Sequence, residues 1–322
     1  MIRRILAPLD GSAHAESALA SAIALASAFD AEIIVQRVVE SGGGGSSFND
    51  GMHWRFLRAE ALAYLSEIKT RCAGKCRSCE IAVSQGDPAE EILQCSGDRD
   101  ADLIVLSTHG RGHRGPFRLG NTVQQIVFAA NVSVMLVPAE AREEPGLEKQ
   151  AFRRILVPLD GSRRAEWALC LASTIAEAHA STLHMVHVVP VPEMARRFPR
   201  TPEEEKLRQQ VVQHNRKAAR EYLDAMEARF EGGRLQVRSH LLVSSRVAQT
   251  IEKVAEEQQA DLLVSCAHGH GGEGEWLYGG IAGSLIAHTK VPLLLFQDLA
   301  YEATNTESCA EPGEERLMEQ AP

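Results

Sequence analysis

The sequence predicts an α/β protein made of two copies of one doubly wound domain, each a parallel sheet with helices on both faces. Three observations support this prediction. Residues 3–12 return almost unchanged as residues 153–162, strand-like and helical segments alternate along both halves, and the strand-like segments are continuous apolar runs. A long repeat predicts two domains of one fold. Unalternating apolar runs are typical of strands that are buried on both faces.

The repeat sets the expected domain boundaries. The segment RRILAPLDGS at 3–12 matches RRILVPLDGS at 153–162, and the His-Gly pair at 109–110 matches the pair at 268–269. We expect domains at 1–138 and 152–297, joined by a charged linker at 139–151. The tail at 298–322 is acidic and poor in apolar residues, so we expect it to be disordered.

The first half is predicted element by element from its apolar periodicity. We expect strands at 2–7, 32–39, 80–84, 103–106 and 132–137, and helices at 13–29, at 49–71, from Pro88 and from Asn121. Asp87 before Pro88 is a typical helix start. In the second helix, Phe56, Ala59, Ala63 and residues 65–68 are expected to be buried. The segment SGGGGSS at 41–47 is predicted to be a flexible linker, with a phosphate-gripping loop as the alternative.

The second half repeats this pattern. Strands are expected at 154–158, 183–189, 235–243, 262–266 and 293–296, and a helix at 163–178. Thr201-Pro-Glu-Glu is a capping box that opens a long helix reaching about residue 230. The residues expected to form its buried stripe are Leu207, Val211, Ala218, Tyr222, Met226 and Phe230.

Composition excludes several classes of function. The net charge of −9 argues against a nucleic-acid or membrane-surface binder, and no apolar stretch reaches the length of a membrane span. The chain enters a strand at once without a signal-peptide pattern, so we expect a cytoplasmic protein. Seven scattered cysteines do not suggest a disulfide framework.

A glycine loop follows the apolar strand at 103–106. It holds Gly110, Gly112, Gly115 and Gly120, and a helix begins after it at Asn121. Glycines let a phosphate approach the backbone, and the amides at a helix start favour an anion. Arg111, Arg114 and Arg118 add positive charge. A plain turn between strand and helix is the alternative.

With these motifs, the chain resembles the universal stress protein family in its tandem form. The motifs are the strand that ends in Pro-Leu-Asp-Gly-Ser, the segment Gly86-Asp-Pro-Ala-Glu-Glu-Ile, and the strand that ends in His-Gly before the glycine loop. The resemblance covers about 1–138 and 152–296. It implies the strand order 3-2-1-4-5, pairing of the two domains through their fifth strands, and binding of ATP or a related adenine nucleotide.

The resemblance also implies which residues bind the nucleotide. In the first domain these are Pro8, Leu9, Asp10, Val38, Gly110, Gly112, His113, Gly120, Asn121 and Thr122. Asp10 is expected beside the ribose or the base, although a turn that caps the next helix would equally explain it. The pattern is imperfect, because His113 stands where the family has its second loop glycine and Asn121 stands where it has a hydroxyl residue.

The matching site of the second domain is expected to be weaker. Its residues are Asp160, Val188, Gly269, Gly272, Gly279 and Gly280. The glycine spacing is better kept, but Glu273 and Glu275 lie in the loop and no Arg or Lys lies between Gly269 and Gly283. Carboxylates there would repel a phosphate, so we expect the first domain to bind nucleotide and the second to bind it weakly or not at all.

Cysteines and histidines suggest further chemistry. Cys72, Cys76 and Cys79 could hold zinc, could be redox-active thiols, or could be incidental. His109 and His268 end matching strands, but no nucleophile with a base is recognisable around them, so we expect no catalytic residue.

Three functions remain open at this point. The first is a stress-response protein that binds an adenine nucleotide and acts as a regulator or interaction module. The second is an adenylate-handling hydrolase or transferase with slow turnover. The third is a scaffold with vestigial pockets. The expected partners are the nucleotide, the other domain of the same chain and a protein that the sequence does not name; dimerisation of the whole chain is left open.

Overall fold

A computed structural model describes residues 2–40, 50–110, 119–138, 151–192, 201–269 and 278–297. Gly112, His113 and Gly272, the segment at 41–47, most of the expected linker and the tail lie outside these residues. The first half contains β1 (Arg4–Pro8), α1 (Ala13–Phe29), β2 (Glu32–Val39), α2 (Asp50–Cys72), β3 (Ser78–Gln85), α3 (Pro88–Asp98), β4 (Leu103–Ser107), α4 (Asn121–Ala129) and β5 (Ser133–Val137).

The second half repeats the same succession. It contains β6 (Arg154–Pro158), α5 (Arg163–His179), β7 (Thr182–Pro190), α6 (Pro202–Ala228), β8 (Gln236–Ser244), α7 (Val247–Glu257), β9 (Leu262–Cys266), α8 (Gly280–His288) and β10 (Leu293–Phe296). Both expected helix starts are confirmed. Asp87 accepts hydrogen bonds from the amides of Ala89 and Glu90, and Thr201 forms a capping box with Glu204. No helix of the described residues is both apolar enough and long enough to cross a bilayer.

The two halves share one ten-stranded sheet in the order β3-β2-β1-β4-β5-β10-β9-β6-β7-β8. Each half therefore has the strand order 3-2-1-4-5, and its strands run parallel. The halves join where β5 pairs antiparallel with β10, with Met135 opposite Leu294. This confirms the predicted pairing through the fifth strands, and it covers two apolar edges that would otherwise invite aggregation.

Helices α1, α2, α5 and α6 cover one face of the sheet, and a single core cluster runs through both halves beneath them. Helix α1 is buried nearly all round from Ala15 to Ala26, beyond the single sheet-facing stripe that its sequence suggests. The reason is that α5 packs directly against it, and His179 of α5 contacts the carbonyl of Ala24 at 3.2 Å. Helices α3 and α4, and in the second half α7 and α8, form separate clusters on the other face.

The buried stripes of the two long helices differ from those expected. In α2 the buried residues are Ala61, Leu65, Ile68 and Cys72, whereas Phe56, Ala59 and Ala63 are exposed. In α6 the buried residues are Ala219, Leu223 and Met226, whereas Leu207, Val211 and Ala218 are exposed. The buried residues lie in the C-terminal part of each helix and include the expected Leu65, Ile68 and Met226. Ala63 and Ala218 lie in the same part but on another face of the helix.

A pair of stacked histidines lies between β7 and β8. His184 Nδ1 is 3.0 Å from His240 Nε2, and His184 is only 2% exposed. Burial, with smaller contributions from the neighbouring His240, Arg238 and Arg154, lowers the pKa of His184 to about 4. The first half has Ile34 and Ala82 at the matching register positions, so the polar pair belongs to the second half alone.

We expect His184 to make stability pH-dependent. Between pH about 6.5 and about 4 the unfolded chain binds a proton that the folded chain excludes, so stability falls as the pH falls, by roughly 1.4 kcal/mol per unit at most. His184→Ile, which copies Ile34 of the first half, should flatten this part of the profile. Denaturant unfolding at a series of pH values measures it. His214→Gln on the exposed face of α6 is the control, and an unchanged slope in His184→Ile would contradict the assignment.

Candidate functional site

A cleft of about 570 Å³ opens at the carboxyl ends of β1, β2 and β4. Strand β1 pairs with β2 on one side and with β4 on the other, so the direction of the strand order reverses here. Such a reversal is the usual ligand crevice of a doubly wound sheet. The cleft is lined by eight of the residues predicted from sequence: Pro8, Leu9, Asp10, Val38, Gly110, Gly120, Asn121 and Thr122.

The Asp10 carboxylate lies at the entrance to α1 and against the start of the glycine loop. Its Oδ1 accepts a hydrogen bond of 2.8 Å from the amide of Ser12. Ser12, not Asp10, is the N-cap of α1, because its hydroxyl accepts from the amide of Ala15 at 3.2 Å. A Cβ added at Gly110 would lie 2.7 Å from Asp10 Oδ2, so only glycine leaves room for the carboxylate.

The start of α4 faces the same cleft. Gly120 is its N-cap and supplies no side-chain acceptor to the first turn, which begins at Asn121 and Thr122. Amides at a helix start and the helix dipole favour an anion. The loop at 111–118 lies outside the described residues, but Gly110 and Leu119 on either side of it both line the cleft. The segment between them contains three arginines.

Two polar residues of β2 also line the cleft, although no sequence motif marks them. The Gln36 side chain donates through Nε2 to Ser84 Oγ at 3.2 Å and to the carbonyl of Glu91 at 3.0 Å. Its buried Oε1 has no hydrogen-bond partner within the structure described. Arg37 donates to the carbonyl of Leu9 at 3.2 Å. The available signal was the polar pair that interrupts the apolar run IIVQRVV.

His109 lies at the rim of this cleft, where its Nδ1 is 2.9 Å from the hydroxyl of Thr108. Its carbonyl accepts a hydrogen bond from Ser107 at 2.9 Å. These contacts orient the imidazole towards its own strand end. As a residue that lines the cleft, His109 could contact a ligand there.

The second half forms a matching cleft of about 500 Å³. It is lined by Asp160, Val188, Gly269, Gly279 and Gly280. The turn after the first strand and the approach of the aspartate to the loop glycine are the same as in the first half. Asp160 accepts from the amide of Ser162 at 2.9 Å, and a Cβ at Gly269 would collide with the Asp160 carboxylate.

The side chains of the second cleft differ where β2 and β7 correspond. Val186 stands in place of Gln36, and His187 stands in place of Arg37. Burial is the main reason that the pKa of His187 is lowered, although Asp160 and the Leu159 backbone oppose it. A lowered pKa keeps this imidazole neutral near pH 7. At these two positions the second cleft therefore has neither the positive charge of Arg37 nor the side-chain amide of Gln36.

The three clustered cysteines lie away from both clefts, in the core beneath α1 and α2. Within the ranges that the structure describes, no group of three or more His, Cys, Asp or Glu side chains is placed to hold a metal ion. Cys72, Cys76 and Cys79 therefore do not form the zinc site considered from the sequence.

The fold and its two clefts define a class of protein: two doubly wound α/β halves in one chain, each with a crevice at its strand reversal. The sequence profile of the universal stress protein family matches residues 1–138 and 151–297, and the chain belongs to this family.

Individual relatives agree with this assignment. A universal stress protein of Thermus aquaticus is 36% identical over 140 residues, which cover 42% of this chain and 99% of that protein. Among solved structures, a universal stress protein from Archaeoglobus fulgidus superposes with a TM-score of 0.61 at 19% identity, covering 91% of this chain and 96% of that one. A protein described as a putative universal stress protein from Pseudomonas aeruginosa gives 0.60 at 17% identity, covering 92% and 93%. These two structures share the fold of the whole chain.

We expect Gly110 to tolerate no side chain. Gly110→Ala should push the Asp10 carboxylate out of its place and cost about 1–3 kcal/mol, as overpacking usually does. Gly120→Ala is the matched control, because the nearest atom to its new Cβ would be 3.7 Å away. Thermal unfolding of the two variants measures the difference, and equal midpoints would contradict the close approach of Asp10 to Gly110.

Proposed function

We propose that this protein binds an adenine nucleotide of the ATP class in the first cleft and acts in stress responses as a nucleotide-dependent regulator or interaction module. The observation that carries the proposal is that the Asp10 carboxylate and the uncapped start of α4 face one cleft at the strand reversal. A carboxylate suits ribose hydroxyls, and free amides at a helix start suit phosphates. The volume of the first cleft, about 570 Å³, lies in the usual range of small-molecule sites.

The walls of the first cleft suit a purine base. Val38, Pro88 and Ile92 provide apolar surface between β2 and α3, and Gln36 lies beside Val38 along the cleft wall. The Gln36 amide has a fixed orientation, because the carbonyl of Glu91 can only accept a hydrogen bond and must face Nε2. Its Oε1 is thus an acceptor without a donor among the described residues, and because it is buried, a base would reach it only through a shift of the cleft wall. The exocyclic amine of adenine is such a donor, and the carbonyl oxygen of hypoxanthine is not.

The second cleft is proposed to bind nucleotide weakly or not at all. It has Val186 instead of the acceptor Gln36 and a neutral His187 instead of the cation Arg37. Its loop contributes Glu273 and Glu275 where the first loop contributes arginines. Each difference lowers the affinity for an anionic purine nucleotide.

An enzyme of the same architecture is the second candidate function. His109 beside the cleft is the feature that favours it, because its Nδ1 lies 2.9 Å from the Thr108 hydroxyl, but Thr108 does not line the cleft. Identification of a small molecule that copurifies with the protein would separate the candidates. Bound ATP without turnover supports the regulator, phosphate release supports the enzyme, and empty clefts support a scaffold.

Calorimetric titration with ATP should show one site per chain. Asp10→Ala should weaken binding at least about 10-fold, because a hydrogen bond to a charged group is worth about 1.5–3 kcal/mol. Asp160→Ala is the matched control, since it removes the same carboxylate and the same turn from the second half. Two equal sites, or a response to Asp160→Ala alone, would contradict the proposed asymmetry.

The base should be read by Gln36. ATP should bind at least about 10-fold more tightly than ITP. The hypoxanthine carbonyl oxygen of ITP is an acceptor, so it would leave Gln36 Oε1 without a hydrogen bond. Gln36→Leu should remove most of this preference by weakening ATP binding. Competition between the two nucleotides at equilibrium measures it. Equal affinities in the unaltered protein would show that Gln36 does not read the base, while leaving the site itself in place.

A further inference from the structure

Three thiols converge where α2 ends and β3 begins. Cys72 is the last residue of α2 and is fully buried, while Cys76 and Cys79 are partly buried beside the same core. The turn between the helix and the strand packs Cys72 and Cys79 against the same core cluster, and the two thiols interact closely enough to shift each other's pKa. The second half has no cysteine here. Phe230 follows the end of α6, and Val237 stands at the register position of Cys79.

The three thiols are not equivalent. The hydrogen bond from Cys72 and the charge of Lys69 lower the pKa of Cys79, and burial opposes them. The same hydrogen bond and burial raise the pKa of Cys72. Burial raises the pKa of Cys76 to about 11, and its thiol donates to the carbonyls of Ser78 at 3.3 Å and Cys72 at 3.8 Å. The thiolate is the reactive form of cysteine, so Cys79 is the thiol suited to react first.

We propose that Cys79 and Cys72 form a dithiol site that peroxide oxidises to an intramolecular disulfide. The Cys79 thiolate attacks one oxygen of a hydroperoxide, the O–O bond breaks, and the hydroxide or alkoxide that leaves takes up a proton. Cys79 is then a sulfenic acid. The sulfur of Cys72 attacks the sulfur of Cys79, the S–O bond breaks, and the hydroxyl leaves as water with the proton of Cys72. Two thiols are oxidised and one peroxide is reduced.

Cys72 is suited to the second step by its position. It lies in the core cluster against which Cys79 packs, and its burial keeps it from reacting with solvent oxidants on its own. Cys76 lies next to both residues along the chain, but its thiol points to backbone carbonyls. The disulfide would tie the C-terminal end of α2 to β3, the outermost strand of the sheet.

Peptide mapping of the full chain tests the linkage. The reduced protein is treated with hydrogen peroxide, its remaining thiols are alkylated, and it is digested with trypsin without reduction. Cleavage after Arg71, Lys75, Arg77 and Arg99 puts Cys72, Cys76 and Cys79 on three separate peptides. We expect peptide 72–75 to be linked to peptide 78–99. Because Cys95 lies on that second peptide, Cys95→Ser is the matched control and must keep the linkage.

Variants test the order of the two steps. Cys76→Ser should form the disulfide normally. Cys72→Ala should leave a sulfenic acid on Cys79 that dimedone traps, and Cys79→Ser should slow peroxide consumption at least about 10-fold. A linkage of peptide 76–77 instead of 72–75 would overturn the proposal, and so would full alkylation of both Cys72 and Cys79 after peroxide treatment. The mapping of the unaltered protein decides the matter even if a variant folds poorly.

Discussion

The antiparallel pairing of β5 with β10 is the interaction on which the architecture depends. In a five-stranded sheet of order 3-2-1-4-5 the fifth strand is an edge, and here both fifth strands are mainly apolar and, apart from the partly buried Phe296, buried. A lone half would expose unpaired backbone groups along a hydrophobic strand, which is an aggregation hazard. Joining the two edges removes the hazard. It also brings α1 against α5, so that one core cluster serves both halves.

Much of this fold could be predicted from sequence, because the repeat and the apolar strands are strong local signals. Strand order and the fifth-strand joint came from the family resemblance, and both are confirmed. The buried faces of α2 and α6 were predicted only in part. Leu65, Ile68 and Met226 are buried as expected, but periodicity does not tell where along a helix the sheet ends. The all-round burial of α1 could not be predicted either, because it depends on α5, which is distant in sequence.

The parts of the candidate site that depend on backbone conformation could be predicted from the sequence, and the parts that depend on individual side chains could not. In each half the Asp-Gly-Ser turn places the aspartate carboxylate against the first glycine of the loop, which is Gly110 or Gly269. Both copies of the repeat therefore contain the turn and the glycine. Gln36 and Arg37 look like ordinary strand residues until the structure shows that they line the cleft. Their counterparts Val186 and His187 pack in the same fold, so the scaffold allows these positions to vary and the two clefts to differ.

The antiparallel pairing of β5 with β10 also sets the directions in which the two clefts open. All strands of one half run parallel, and the two halves run opposite to each other across β5 and β10. The carboxyl ends of β1 and of β6 therefore point to opposite borders of the sheet, and each cleft opens at its own border. Strands of five residues span roughly 17 Å. One small molecule cannot bridge the two openings, and a partner protein that touched both would have to reach around the sheet.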